Sequence, residues 1–361
     1  MALAVVLAGG GTGGHVFPAL ALAEAIRQSD PDTRLHFIGS ETGLERTRVP
    51  SAGFPLSFVA SRPVLGRGPA AAARALLTTA RGILEAGRLL RGLRADLVIG
   101  VGGWASVPTV AAALLARVPT ALIEPNARPG RANRLLGHLA AAVYVQFDAA
   151  REGFPAERTH RLGLPVRPGR ATARVERPHD RFLRLLVVGG SQGARSINRA
   201  VTASLGELEG GSQLDITHQT GPADFETVRA AYERRDLKAR VAPFFDDMPE
   251  RMACADLVLA RAGAATIAEL CCAGRASILV PYPHAADDHQ TANARELEQA
   301  GASVVIRDAE LAQQLVPELR ALLHDPERRG RMAAAAARRG QPNAAHEIWQ
   351  HCKARVVGAR R

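Results

Sequence analysis

The sequence predicts an α/β protein made of two doubly wound, Rossmann-like domains with a cleft between them. Three observations lead there. Short apolar runs alternate with Ala/Leu-rich helical stretches along the chain, the grammar of a parallel sheet covered on both faces. A strand–glycine turn–helix unit opens the chain and restarts at residue 184. At 361 residues the chain is too long for one ordinary core and suits two domains of about 150–180 residues each.

In order, residues 3–7 read as a strand and 19–27 as a helix, joined by Gly9-Gly10-Gly11-Thr12-Gly13-Gly14. Glycines there let the backbone turn sharply and bring its N–H groups close to a ligand, while the helix start behind them favours anions and hydroxyls. A strand at 35–38, a long helical stretch at 70–93 and a strand at 97–99 follow. That last strand runs into Gly100-Val101-Gly102-Gly103-Trp104, and a helix starts near Pro108. The run 120–123 is a buried strand leading to Glu124-Pro125-Asn126, and 142–145 reads as the last strand of the first half. Residues 162–181, rich in Pro and Arg, read as a linker. The strand 184–188 then leads to Gly189-Gly190-Ser191-Gln192-Gly193, with further strands at 215–218, 257–259, 276–280 and 304–306 and a closing helix at 346–357. The expected domains are 1–163, 164–341, and a closing segment 342–361 that packs back on the first. The cleft lies at the carboxyl ends of their strands.

Composition narrows the class of protein. No run approaches the ~18 apolar residues of a membrane span, and the N-terminus lacks the basic region of a signal peptide, which points to the cytoplasm. Cys254, Cys271, Cys272 and Cys352 are scattered without metal-ligand spacing and read as reduced, mostly buried thiols. The net charge of +11 implies attraction to something acidic: nucleic acid, anionic lipid or a phosphorylated substrate. Only Lys238 and Lys353 are lysines, so part of the arginine excess also fits genome composition.

Several constellations carry candidate chemistry. The first glycine loop fits a dinucleotide poorly, because the strand at 35–38 ends in Gly39-Ser40 and not in an acidic residue. His15, at the start of a helix at the cleft mouth, is either a capping or core histidine or a general base. The turn 189–193 has the make-up of a phosphate cradle, with Ser191 as a plain N-cap the alternative. Thr266-x-x-Glu269 has the spacing of a capping box; Glu269 equally suits the two hydroxyls of a ribose. Asp287-Asp288-His289-Gln290 with Asn293 is a polar cluster suited to a metal, a solvated loop or a sugar. Asp30-Pro31-Asp32 reads as a turn. Arg67, Arg74, Arg81 and Arg88 recur every seven residues and share a helix face, with Glu85 the only acid between Arg62 and Arg94. Leu76, Leu77, Ile83, Leu84 and Leu90 line another face, which an ordinary surface helix turns to the core. A basic face that docks on anionic headgroups explains the single-sign charge better, although aromatic anchors are absent.

Taken together, these turns resemble the MurG family, the N-acetylglucosaminyltransferases that convert lipid I to lipid II in peptidoglycan synthesis. The resemblance spans nearly the whole chain. It rests on Gly-Gly-Thr-Gly-Gly-His-Val-Phe-Pro at 10–18, Gly-Val-Gly-Gly-Trp-Ala-Ser-Val-Pro at 100–108 and Glu-Pro-Asn at 124–126. It continues with Pro-Val-Arg at 165–167, Gly-Gly-Ser-Gln-Gly-Ala at 189–194, Phe-Phe-Asp-Asp-Met at 244–248 and His-Gln-x-x-Asn-Ala at 289–294. Pro125, Leu164, Ala262 and His289 depart from the commonest pattern, so polar contacts at the first three are absent or supplied by backbone.

The resemblance implies the glycosyltransferase B fold, with the lipid acceptor on the first domain and UDP-GlcNAc on the second. By position, Glu269 binds the ribose hydroxyls and main chain near Phe245 the uracil. Ser191 with Gln192, Arg167 and the Gly263–Ala264 turn hold the diphosphate, and Gln290 with His289 the sugar hydroxyls. Thr12, Gly13, Gly14 and Asn126 also bind UDP-GlcNAc, while His15, Glu124 and Asn126 lie on the acceptor side, with His15 first choice as base and Glu124 behind it. The implied reaction is inverting transfer of GlcNAc to the 4-hydroxyl of the muramoyl unit. It calls for no cofactor, and the sequence decides nothing on a divalent metal. Implied partners are UDP-GlcNAc, lipid I, the anionic cytoplasmic membrane surface and proteins of cell-wall synthesis and division, and no nucleic acid. A UDP-GlcNAc 2-epimerase, a transferase for another lipid acceptor such as diacylglycerol, and a non-catalytic nucleotide-binding adaptor are the competing readings.

Overall fold

The computed structural model describes residues 2–62, 69–167, 183–190, 193–208, 214–235 and 237–358. It resolves into two compact units, Met1–Arg167 with Pro342–Arg361, and Pro168–Gln341.

In the first unit the order is β1 (Ala4–Gly9), α1 (Gly13–Ser29), β2 (Arg34–Gly39), α2 (Glu45–Ser51), β3 (Leu56–Phe58) and α3 (Pro69–Leu93). β4 (Leu97–Gly102), α4 (Ser106–Leu115), β5 (Thr120–Glu124), α5 (Arg131–Gly137), β6 (Ala142–Val145) and β7 (Thr159–His160) complete it. The sheet runs β3-β2-β1-β4-β5-β6-β7, with every pairing parallel. β1, β4, β5 and β6 are buried along their whole length, as a parallel sheet covered on both faces requires. Val6, Val98, Leu122 and Val143 belong to its core.

The second unit repeats the plan. It comprises β8 (Leu183–Val188), α6 (Arg195–Leu208), β9 (Leu214–Gln219), α7 (Phe225–Glu233), β10 (Lys238–Ala242) and α8 (Met248–Cys254). β11 (Leu257–Ala260), α9 (Ala264–Ala273), β12 (Ala276–Leu279), α10 (His289–Gln299), β13 (Ser303–Val305), α11 (Leu311–His324) and α12 (Pro326–Arg339) follow. Its parallel sheet runs β10-β9-β8-β11-β12-β13 around a core that includes Leu185, Val187, Leu257, Leu259 and Ile278.

The chain then returns to the first unit as α13 (Ala344–His351), continued by wider π-helical turns over Cys352–Val357. α13 packs on α1. Trp349 is fully buried, and its Nε1–H donates to Asp30 Oδ2, which also accepts from Lys353 Nζ at 2.8 Å. The Asp30 turn therefore has a second task, pinning the C-terminal segment. Lys353 and Trp349 hold the Asp30 carboxyl below the usual carboxylate range.

Several expectations are corrected. α1 begins at Gly13, six residues before the expected start, and carries Pro18 in its interior. β7 follows the strand read as the last of the first half, and β3 and β10 lie where no strand was read. On α3, Leu76, Leu77 and Leu84 are 60%, 72% and 63% exposed and do not enter the core. Leu90 is buried as expected and Ile83 partly so, and the rest of the buried side is Ala75, Gly82 and Ala86. Small residues are needed there because Gly82 lies against the Ala60 carbonyl, where any Cβ would overlap it.

Candidate active site

In each sheet the strand order reverses once, between β1 and β4 and between β8 and β11. A crevice opens at such a switch point, beyond the carboxyl ends of the strands. The glycine turns follow these strands, so chain topology places them at the two points where a ligand is expected.

At the first switch point His15 sits in the opening turn of α1, half-buried, with Nδ1 3.1 Å from the Val101 carbonyl oxygen on β4. A carbonyl only accepts, so in the neutral ring Nδ1 carries the proton and Nε2 presents its lone pair. Gly102 and Gly103 form the slot for the ring. Their φ values of +96° and +79° suit glycine, and a Cβ on Gly102 would lie 2.9 Å from His15 Cε1 and Nδ1. Thr12 is the exposed, extended N-cap residue of α1, and Gly13 and Gly14 form its first residues.

Sequence reasoning missed Glu45. Its carboxylate, 1% exposed, accepts from the Gly11 N–H at 2.7 Å, the Ser40 N–H at 2.8 Å and the Ser40 hydroxyl at 2.7 Å. A Cβ on Gly10, Gly39 or Gly43 would overlap it. An internal anion thus takes a loop amide that a dinucleotide phosphate would claim, a second reason beside Gly39-Ser40 that the loop does not suit one. The available signal was a glutamate closely preceded by Gly39 and Gly43; the acidic candidate weighed from sequence was Glu41, which lies between those glycines.

Glu124, at the end of β5, is 1% exposed. Oε1 accepts from the Asn126 N–H at 3.0 Å and Asn126 Nδ2 at 3.4 Å, and Oε2 from the Gly130 N–H at 3.2 Å and Asn133 Nδ2 at 2.9 Å. Burial pushes its carboxyl up to about 7 against the opposing pull of these donors. Such a group shapes the 126–133 loop, and its enclosure leaves His15 the more accessible base. Arg167 stacks its guanidinium 4.4 Å from the centroid of the Phe17 ring on α1.

At the second switch point the Gly189 N–H donates to the Gln219 carbonyl at 3.0 Å. Gly193 adopts φ +80°, where a Cβ would come 2.5 Å from the Thr220 carbonyl oxygen. Ser191 and Gln192 lie outside the described residues, as does Arg67. Gly263 is the N-cap residue of α9, whose first helical residue is Ala264. Thr266 is therefore inside the helix, and the capping-box reading of Thr266 and Glu269 is overturned; Glu269 stands half-buried on α9. Arg261, leading into this turn, donates to Ser196 Oγ at 2.8 Å and pairs with Asp308. That brace, also missed from sequence, joins three segments far apart in the chain.

Beyond β12, Asp287 and Asp288 both take left-handed φ, 50° and 54°, immediately before α10. Two successive aspartates in that region are strained, a feature that concentrates at ligand sites. His289 Nδ1 donates to the Ala286 carbonyl at 2.7 Å. Gln290 Oε1 accepts from the Tyr282 N–H at 3.0 Å, which leaves its amide nitrogen to point elsewhere. Asn293 is buried and donates to the Ala262 carbonyl at 3.2 Å, so backbone does supply a polar contact at that departure from the family pattern. Among the described residues no group of three or more His, Cys, Asp or Glu side chains converges as a metal site.

Of the candidate residues, Thr12, Gly13, Gly14, His15, Glu124, Asn126 and Arg167 belong to the first unit, and Phe245, Gly263, Ala264, Glu269, His289 and Gln290 to the second.

Comparison with known proteins identifies the family. Residues 5–145 match the glycosyltransferase family 28 N-terminal domain and residues 184–348 its C-terminal domain. A protein of Anaeromyxobacter dehalogenans is 45% identical over 352 residues, 96% of this chain and 92% of that protein. One of Acidithiobacillus ferrooxidans is 44% identical over 359 residues, 98% of each. Both are named UDP-N-acetylglucosamine–N-acetylmuramyl-(pentapeptide) pyrophosphoryl-undecaprenol N-acetylglucosamine transferase. The crystal structure of Acinetobacter baumannii MurG superposes with a TM-score of 0.78 at 30% identity, covering 98% of this chain and 99% of that one. A putative UDP-N-acetylglucosamine 2-epimerase from Listeria monocytogenes shares the fold, with a TM-score of 0.70 at 14% identity over 98% of this chain and 96% of that one.

Proposed function

We infer the function from one premise: this chain belongs to glycosyltransferase family 28, in its MurG branch. It is a UDP-sugar glycosyltransferase of two Rossmann-like domains that moves GlcNAc from UDP-GlcNAc to lipid I, giving lipid II. The epimerase reading is the weaker one, since that likeness is of fold alone.

The mechanism we propose assigns the chemistry to named atoms. The 4-hydroxyl of the muramoyl unit attacks the anomeric carbon as the bond to UDP breaks, giving the inverted β-1,4 link. His15 Nε2 takes the hydroxyl proton, because the Nδ1–H bond to Val101 fixes the tautomer in which Nε2 is the basic nitrogen; that bond is the observation that carries the reading. Charge growing on the departing diphosphate is met by Arg167, the 189–193 turn with Ser191 and Gln192, and the N–H groups at Gly263–Ala264 that open α9. Glu269 is assigned to the ribose hydroxyls, main chain near Phe245 to the uracil, and Gln290 with His289 to the sugar. Thr12, Gly13, Gly14 and Asn126 are assigned to UDP-GlcNAc as well, with Asn126 also on the acceptor side beside His15. Glu124 is assigned the upkeep of that loop through its four accepted hydrogen bonds.

A membrane role fits the same premise. No described helix is long and apolar enough to cross a bilayer. The α3 face carrying Arg74, Leu77, Arg81, Leu84 and Arg88 is exposed, charged and apolar together, the composition of a surface that lies on anionic headgroups. We place the enzyme on the cytoplasmic face of the membrane through this helix, where proteins of cell-wall synthesis and division would meet it.

Radiolabelled UDP-GlcNAc incubated with a short-chain lipid I analogue, with and without EDTA, tests the assignment. Label is expected in the lipid product. UDP-ManNAc formed from UDP-GlcNAc alone would reinstate the epimerase. UDP binding without transfer would leave an adaptor, and label on diacylglycerol another acceptor.

A further inference from the structure

Gln219, the last residue of β9, is 3% exposed, and its side chain spans two loops at the carboxyl edge of the second sheet. Oε1 accepts from the Phe245 N–H at 2.9 Å, and Nε2 donates to the Gly190 carbonyl oxygen at 3.3 Å. The amide can face only one way here, because a peptide N–H only donates and a carbonyl only accepts. The strand that carries it is held firmly. His218, one residue earlier, donates from Nε2 to Asn198 Oδ1 at 3.0 Å and lies 3.2 Å from the Tyr232 hydroxyl, and the Thr220 N–H bonds to Ala242. β9 lies between β8 and β10, the strands that lead into the 189–193 turn and the 243–247 segment.

We propose that Gln219 is a positioning residue that ties the loop receiving the base to the loop receiving the diphosphate and fixes the spacing between them. The inference rests on the donor assignment above and extends it, since no side chain reaching substrate is involved. A nucleoside diphosphate occupies both loops at once; a clamp that presets their separation spares the ordering that binding would otherwise require. Uridine, which engages one loop, gains little from it. The clamp therefore acts on the connection between two halves of one ligand.

Two variants test this: Gln219→Met, similar in length with neither hydrogen bond, and Gln219→Glu, which keeps the acceptor toward Phe245 but sets a second oxygen against Gly190. Kd for UDP and for uridine is measured by calorimetry, and kcat and KM with the lipid I analogue. Each variant is expected to raise Kd for UDP and KM for UDP-GlcNAc about 10-fold, the scale of one or two lost hydrogen bonds. Uridine affinity should change less than about threefold and kcat less than about twofold, because the reacting groups are untouched. Each variant is assayed below its own Tm, so a general loss of fold is seen separately. Equal loss of uridine and UDP affinity, unchanged UDP affinity, or a fall in kcat at constant KM would each overturn the clamp. Failure of the unmodified protein to bind UDP would instead overturn the donor assignment.

Discussion

A single hydrogen bond decides what His15 can do. With Nδ1–H given to Val101, the neutral ring can accept a proton only at Nε2, and Gly102 and Gly103, having no Cβ, make the space that the ring fills. His15→Ala is expected to lower kcat by ~10²-fold or more, with UDP affinity retained, the usual scale for loss of a general base. Gly102→Ala should approach the same loss with His15 intact, because its Cβ would displace the ring, and about 1 Å of misplacement can cost that much. Intact turnover in His15→Ala removes the residue from the role. Glu124 makes a separate statement through pH. Its folded carboxyl titrates at about 7 against 4.5 unfolded, so between those values the folded protein holds a proton that the unfolded chain has released. Stability must fall as pH rises from about 4.5 to 7, by ~3 kcal/mol at ~1.4 per pH unit. Denaturant titrations at pH 5 and pH 8 should show this fall, and Glu124→Gln, neutral throughout, should lack it. Equal slopes in the two proteins would show that Glu124 is ionised in the fold.

At the scale of elements, α3 illustrates how a helix can be right in extent and misread in orientation. Its apolar pattern predicted 70–93 almost to the residue. Of the stripe credited to the core, Leu90 and the partly buried Ile83 do lie there, but Leu76, Leu77 and Leu84 do not, their places being taken by Ala75, Gly82 and Ala86. Heptad spacing identifies residues that share a face without saying which face is covered, and a close approach to the Ala60 carbonyl demanded small residues there. The exposed leucines now stand beside the arginines, and Glu85 is engaged by the Ala60 N–H and Arg81. Sedimentation with phosphatidylglycerol vesicles should recover the protein and fail at high salt. Arg74→Glu, Arg81→Glu and Arg88→Glu combined should weaken binding ~10²-fold at ~1 kcal/mol per basic residue. Leu77→Ser with Leu84→Ser should weaken it without changing the salt dependence; vesicle binding untouched by either set would clear α3 of the role. The strands follow a related logic. The central strands β1, β4, β5, β6, β11 and β12 were legible as largely apolar runs, whereas β3, β7 and β10 were not read as strands, and these are sheet edges. An edge strand such as β10, Lys238-Ala-Arg-Val-Ala, need not be apolar throughout. Glu45, Gln219 and Arg261 were invisible for a further reason: each acts on segments distant in sequence, which local pattern does not encode.

For the whole molecule, the return of the chain to its first unit has consequences that either unit alone would not have. β1 to β7 form a complete parallel sheet, yet α1 finds part of its packing only in α13, more than 300 residues later. Trp349 has no exposed surface, and its indole N–H and Lys353 converge on Asp30. Trp349→Ala should therefore destabilise the first unit by ~3–5 kcal/mol, the scale of a buried aromatic truncated to a methyl group. Asp30→Ala should cost less and should remove an acid sensitivity. The Asp30 carboxyl is held low in the fold, so its contribution is complete above 3.8 and is lost as pH falls through its folded value. The second unit has its own core and all the residues assigned to UDP-GlcNAc except Arg167 and those of the first glycine loop and Asn126. UDP at saturating concentration should thus stabilise mainly that unit, by linkage with whichever unit binds it. Hydrogen exchange followed by peptide mass spectrometry separates the two: Trp349→Ala should accelerate exchange in β1, α1 and α13, while UDP should slow it in β8, β11 and the start of α9. If the substitution instead raised exchange in the second sheet and abolished UDP protection there, the two units would be one cooperative body, and the C-terminal segment would govern nucleotide binding as well as the stability of the acceptor domain.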